Sequence, residues 1–398
     1  MIINRKTFIK TSSLAAASFL FPNFLKALTL PEALAATGKT LVILQLSGGN
    51  DGLNTIIPVR NDIYYQSRNQ ISIKKDNALL LDDEAGIHPN LRFFKELYDN
   101  GELAVMNNVG YPDPNKSHFR SMDIWQSASD SNQFINSGWL GRYLDEACHD
   151  CQNPTQAIEI DDLLSLAMKG ENNKAIAFRD PKKLFDNSQE TLYKKLAAYH
   201  QDHEHNLASY LYNTLGNTIQ NSGYIFEESK AKPTDKIYPA TQIGKDFKTI
   251  ASLIKSDINT QVYYLSVGSF DTHANQNQRQ NQLFKTINDA VETFTKDLKD
   301  SGKFSDVMIM TFSEFGRRVA QNASNGTDHG TANQMFFISG GLKKKGLLNA
   351  LPDLSNLADG DLIYSEDFRK VYATVLKKCL NSDDQKILGK QNGYYDFV

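Results

Sequence analysis

A chain of 398 residues with 40% hydrophobic and 22% charged side chains is long enough to bury a large core and lacks the bias of a disordered or fibrous protein. A formal net charge of −3 excludes the basic surface that nucleic acid binding needs, and three cysteines are too few for a disulfide framework.

Residues 1–35 read as an export signal rather than as part of the fold. Asn4-Arg5-Lys6-Thr7-Phe8-Ile9-Lys10 is a basic start resembling a twin-arginine signal, with Lys6 in place of the second arginine. Ser13 to Leu25 is apolar, and Ala33-Leu34-Ala35 has the form of a cleavage site. Pro22 interrupts the apolar run, which is too short to cross a bilayer comfortably, so no stable membrane span is expected after cleavage. Residues 36–398 then form the folded part, with a charge of −6 once Arg5, Lys6, Lys10, Lys26 and Glu32 are removed. A bacterial periplasmic or extracellular location follows from this reading.

In the folded part, Lys39 to Leu46 is a continuous apolar strand that runs into Ser47-Gly48-Gly49-Asn50-Asp51-Gly52-Leu53-Asn54. The glycines permit a tight turn and present Asp51 at the strand end, but their spacing is not that of a dinucleotide fingerprint. Gly86 to Leu91 opens a helix, and Leu103 to Asn107 is the next strand. After Pro112 and Pro114, Ser117-His118-Phe119-Arg120 starts a helix through Trp125. Ser117 is open to two readings, a helix cap or a nucleophile whose developing charge faces a helix N-terminus.

Cys148 and Cys151 make a local structural pair in preference to a redox motif, because they do not begin a helix after a strand. Residues 153–257 read as an inserted helical or lid segment. It holds two short strands, Ala157 to Ile160 and Ala175 to Phe178, a helical stretch from Leu184 to Asn221, and a loop from Gly223 to Pro239. His200, His203 and His205 lie in a polar run and share no helical face, so they read as solvated.

Gln261 to Val267 is a strand that ends in Asp271 and His273, and an amphipathic helix, Gln278 to Asp300, follows it. Val307 to Met310 is a buried strand leading to Glu314, and Gly326-Thr327-Asp328-His329-Gly330 precedes the apolar run Met335 to Ile338. Lys343, Lys344 and Lys345 read as a surface turn, and Asp367 to Leu380 as a final helix. Acids and imidazoles thus recur beside strands, at Asp51, Asp271 with His273, Glu314, and Asp328 with His329. That recurrence points to a shared cation site outside the carboxyl ends of an open sheet.

The segments GGNDGLN, HPNL, SHF, FDTHANQ, SEFGRR, GTDHG and DFRKVYATVL, spread from about Thr40 to Leu380, resemble the exported bacterial family called domain of unknown function 1501, of the alkaline phosphatase and sulfatase superfamily. The resemblance implies a doubly wound three-layer α/β/α sandwich. It places Asp51 at a metal-ligand position, Ser117 at the nucleophile position, and Asp271, His273 and His329 at ligand positions for a metal. Glu314-Phe315-Gly316 departs from the superfamily pattern, which has an acid followed by His or Asn there. The implied activity is metal-dependent hydrolysis of an anionic phosphate or sulfate ester. One or two divalent ions (zinc, manganese, calcium or magnesium) would be held by Asp51, Asp271, His273, Glu314, Asp328 and His329, with Arg317 or Arg120 on the anion. Arg317 is equally open to an ion pair with Glu314. The alternative is a non-catalytic relative that binds a metal or anion and serves a protein partner in the cell envelope.

Overall fold

The computed structural model describes residues 39–147, 154–171, 175–191, 193, 195 and 207–398. The stretch 1–35 that reads as an export signal, and Cys148, Cys151, His200, His203 and His205, lie outside them. Among the described residues, nine strands form the central sheet. In chain order they are β1 Thr40–Leu46, β2 Leu103–Gly110, β3 Ala157–Glu159, β4 Ile176–Ala177, β5 Val262–Val267, β6 Val307–Phe312, β7 Asn333–Ile338, β8 Gly346–Leu347 and β9 Glu366–Asp367. The spatial order is β8-β2-β7-β6-β1-β5-β3-β4, with β9 pairing β2.

Burial of both faces explains why β1, β5 and β6 are near-continuous apolar runs. Alternate side chains of β1 serve opposite sides: Val42, Leu44 and Leu46 enter one core, Leu41 and Ile43 the other. Helices α1 Arg92–Asp99, α4 Gln242–Lys255 and α5 Gln276–Asp300 cover the first face. Helices α2 His118–Ser127, α3 Trp139–Ala147 and α6 Phe368–Lys378 cover the second, where Trp125 stacks on Phe368 at 4.3 Å and Trp139 on Tyr372 at 4.2 Å. The three-layer α/β/α sandwich expected from the sequence is therefore the fold. Within residues 153–257, β3 and β4 belong to the main sheet and α4 packs against α5.

The loop expected from Gly223 to Pro239 is corrected in its first part by a helix, Leu207–Ala231; beyond Ala231 the chain to Pro239 is loop as expected. A glycine in a helix costs only about 1 kcal/mol, and Gly223 faces the Phe185 ring, where a larger residue would come within 3.7 Å. Among the described residues no helix is long and apolar enough to cross a membrane.

Strand direction fixes where chemistry can gather. β1 runs parallel to β5 and β6, while β7 is antiparallel to both β6 and β2. The carboxyl ends of β1, β2, β5 and β6 therefore share one edge of the sheet with the start of β7, and the segments after the first four and before the last meet there.

Glu159 in β3 is 3% exposed and accepts a hydrogen bond from the Ser165 N–H at 2.7 Å. Burial pushes its carboxyl from 4.5 up to about 8. Because the folded value lies above the unfolded one, the stability that Glu159 lends is complete below pH 4.5 and is lost as the pH rises to about 8. Relative to the natural chain, Glu159→Gln is expected to gain roughly 1 kcal/mol for each pH unit across that window. Urea midpoints at several pH values check this, and a difference that stays constant with pH refutes it.

Candidate functional site

The turn after β1 is shaped by two glycines in left-handed conformations, Gly48 at φ +118° and Gly49 at φ +75°. A Cβ at Gly48 would lie 2.4 Å from the Asp271 nitrogen, and one at Gly49 would lie 2.2 Å from the Phe315 ring. Their absent side chains let the turns after β1, β5 and β6 close on one another. Ser313 ties two of these ends together, donating to the Leu46 carbonyl at 2.6 Å and accepting from the Asn50 N–H at 2.9 Å.

Three imidazoles converge on Asp271. His118, in the first turn of α2, donates from Nδ1 to the Glu314 carboxylate at 2.9 Å and turns Nε2 towards Asp271 at 3.6 Å. His273 has Nδ1 against the Asp328 carboxylate at 3.1 Å and Nε2 at 3.0 Å from Asp271. His329 has Nδ1 on the Lys116 carbonyl at 2.8 Å and Nε2 at 3.3 Å from Asp271. A carbonyl or carboxylate oxygen accepts, so each Nδ1 carries its hydrogen and each ring turns Nε2 inward. Ligand atoms of His118, Asp271 and His329 all lie within 4.8 Å of one another.

Electrostatics follow from these contacts. The Glu314 hydrogen bond raises the pKa of His118 above its ordinary value, whereas burial lowers that of His329. Burial works against ionisation of Asp271, but the Arg317 hydrogen bond and charge hold its carboxyl below the usual range. Hydrogen bonds from Asn322 and His273 do the same for Asp328.

Other residues expected at the site take different places. Asp51 is buried and paired with the fully buried Arg68 at 2.5 Å. Its Oδ1 accepts from the Leu53 N–H at 3.2 Å, and its Oδ2 also accepts from Gln276. Glu314 and Asp328 grip the outer nitrogens of His118 and His273. Arg317 neither faces solvent nor pairs with Glu314. It is enclosed by the carbonyls of Gly48, Gly49, Phe270 and Thr327 and pairs with Asp271 at 2.8 Å. Arg120 is spent on the carbonyls of Asp130, Ser131 and Gln133, its guanidinium 4.0 Å above the Phe134 ring. Ser117 holds the N-cap position of α2, yet its hydroxyl makes no capping hydrogen bond and the residue is exposed. It lies between Lys116, which holds His329, and His118, which joins the cluster.

His118 is the residue that sequence reasoning missed. The signal was present, since the segment SHF carries the imidazole next to the serine that drew attention.

A family model described as "Protein of unknown function (DUF1501)" matches residues 100–395. The chain belongs to this family. Three solved structures similar to the DUF1501 chain are a sulfatase, PsFucS1, from Pseudoalteromonas sp., a protein in the alkaline phosphatase superfamily from Vibrio parahaemolyticus, and the lipoteichoic acid synthase LtaP from Listeria monocytogenes. Identities are 10%, 11% and 12%, and TM-scores 0.39, 0.42 and 0.38. The alignments cover 92%, 89% and 90% of the DUF1501 chain and 75%, 69% and 74% of the respective structures. No curated protein matches the sequence.

Proposed function

We propose that this protein is an exported metal-dependent hydrolase of phosphate or sulfate esters, with Ser117 as nucleophile. The observation that carries the reading is the aim of three imidazole Nε2 atoms at one carboxylate, each ring anchored through Nδ1. Such anchoring fixes the tautomer and raises the basicity of a metal-binding histidine.

The donor set also fits a cation by elimination. Nε2 of His273 and Nε2 of His329 face each other at 2.9 Å while both Nδ1 positions are spent as donors, which is repulsive unless a proton or cation lies among them. Nε2 of His118 is buried with no hydrogen-bond partner. His118, His273, His329 and Asp271 would hold the ion, and three imidazoles with one carboxylate favour zinc or manganese over calcium or magnesium. When bound, the ion supplies Lewis-acid polarisation of an ester oxygen and lowers the pKa of a nearby hydroxyl.

The chain's own residues do the rest. Glu314, Asp328 and the Lys116 carbonyl hold the imidazoles in position, and Arg317 keeps Asp271 ionised. The N–H groups in the first turn of α2 offer partial positive charge to an oxyanion beside Ser117. The exposed Ser117 hydroxyl, free of a capping bond, is available for attack.

Purified full-length chain should turn over aryl phosphates, phosphodiesters or aryl sulfates, lose that activity to a chelator and regain it with zinc or manganese. Glu314→Gln keeps the shape but removes the charge on His118, and is expected to weaken metal affinity about 10- to 100-fold by titration. An affinity unchanged within twofold would remove Glu314 from this role. A second reading, a non-catalytic metal-binding relative in a cell-envelope complex, is favoured by the engagement of Arg317 with backbone carbonyls and Asp271, which takes that guanidinium away from a substrate anion. Metal binding without turnover of any ester in the panel would select it.

A further inference from the structure

We infer that the centre takes a single divalent cation, and that two buried arginines, Arg68 and Arg317, provide the positive charge that a second ion would otherwise bring. This rests on the metal-dependent reading above and adds a number to it. Four carboxylates stand near the sheet edge, at Asp51, Asp271, Glu314 and Asp328, and a second ion would need several of them with free oxygens.

They are not free. Both oxygens of Asp51 are engaged, Oδ1 by the Leu53 N–H and Oδ2 by Arg68 and Gln276. Arg68 has no exposed surface and is itself held, donating to the carbonyls of Val319 and Arg318 at 2.8 Å each and to the Asn54 side chain at 3.0 Å. Glu314 accepts from the Gly48 N–H at 2.8 Å and from His118 on the same oxygen. Asp328 accepts from His273 and from Asn322, each at 3.1 Å, again on one oxygen.

The space that separates these carboxylates is also filled. Arg317 is wedged beneath the turn after β1, bonded to the Gly48 and Gly49 carbonyls and to Asp271. Phe315 puts an apolar ring 4.8 Å from His118 and 4.7 Å from His329, centroid to centroid, and so walls off the imidazoles on that side. Among the described residues the single group of three ligand-bearing side chains is His118, Asp271 and His329. A guanidinium is not deprotonated in proteins, so the charges of Arg68 and Arg317 are permanent and no chelator removes them.

The test counts ions. Full-length chain is stripped with a chelator, dialysed, and titrated with Zn²⁺ or Co²⁺, with elemental analysis for the ratio and visible absorption of Co²⁺ for the coordination. One ion per chain is expected, its Co²⁺ spectrum lost in His329→Ala and its affinity changed less than threefold in Asp51→Asn. Two ions per chain would overturn the inference and leave the metal-dependent reading standing. One ion whose affinity falls tenfold or more in Asp51→Asn would also overturn it, because Asp51 would then be a ligand. No ion bound would refute both. The count is made on the unaltered chain, so it decides even where a variant fails to fold.

Discussion

Ser117→Ala is expected to lower the turnover of the best ester substrate by at least about 10³-fold, the scale at which loss of a nucleophile is felt in hydrolases. Bound metal should not change, because the side chains proposed to hold it, His118, His273, His329 and Asp271, are left intact. Stability should not change by more than about 0.5 kcal/mol, since the residue is exposed and its side chain makes no capping bond. An ordinary serine cap would cost about 1 kcal/mol on removal, so this insensitivity is itself informative. Steady-state rates, metal content and urea unfolding on the same preparation check the three parts together. A rate within tenfold of the natural protein would remove Ser117 as nucleophile and leave water as the attacking group.

Asp51→Ala should act in the opposite way, on stability before chemistry. It strands the Arg68 guanidinium in a site with no exposed surface, and removal of one partner from a buried ion pair costs about 3–5 kcal/mol. The carbonyls of Val319 and Arg318 and the Asn54 side chain still accept from Arg68, so the lower end of that range applies. Replacing both partners by apolar residues, as in Asp51→Leu with Arg68→Met, should cost less than the single change, because no charge is then left unpaired. Urea unfolding of the single and double variants measures the difference. A single variant that unfolds within about 1 kcal/mol of the natural protein would show that the pair is not the anchor described.

The contrast between these two residues shows what the sequence could reveal. The central strands were legible because parallel strands buried on both faces are continuous apolar runs, as Thr40–Leu46 and Val307–Phe312 are. The meeting of Asp271, His273 and His329 was legible because they stand in turns beside such strands. Asp51 stands in a turn of the same kind, and nothing in its spacing says that Arg68, seventeen residues on, folds back through a helix and loop to neutralise it. The carbonyl cradle around Arg317 was equally hidden, since backbone oxygens carry no sequence signal. Gly223 misled because a glycine was taken as a break in a helix that in fact tolerates it. His118 was passed over because Ser117 beside it offered the more familiar role.

One feature of the sheet has an effect on assembly. The strand Asn333–Ile338 runs against its neighbours, and its reversed direction is what delivers His329 to the edge that the other strands reach with their far ends. The cluster therefore draws on backbone laid down from Lys116 to His329 and is incomplete until that late, reversed strand has docked. On the metal-dependent reading, ion capture would mark finished folding rather than aid its beginning, and in denaturant the ion and the centre of the sheet are expected to be lost in one step.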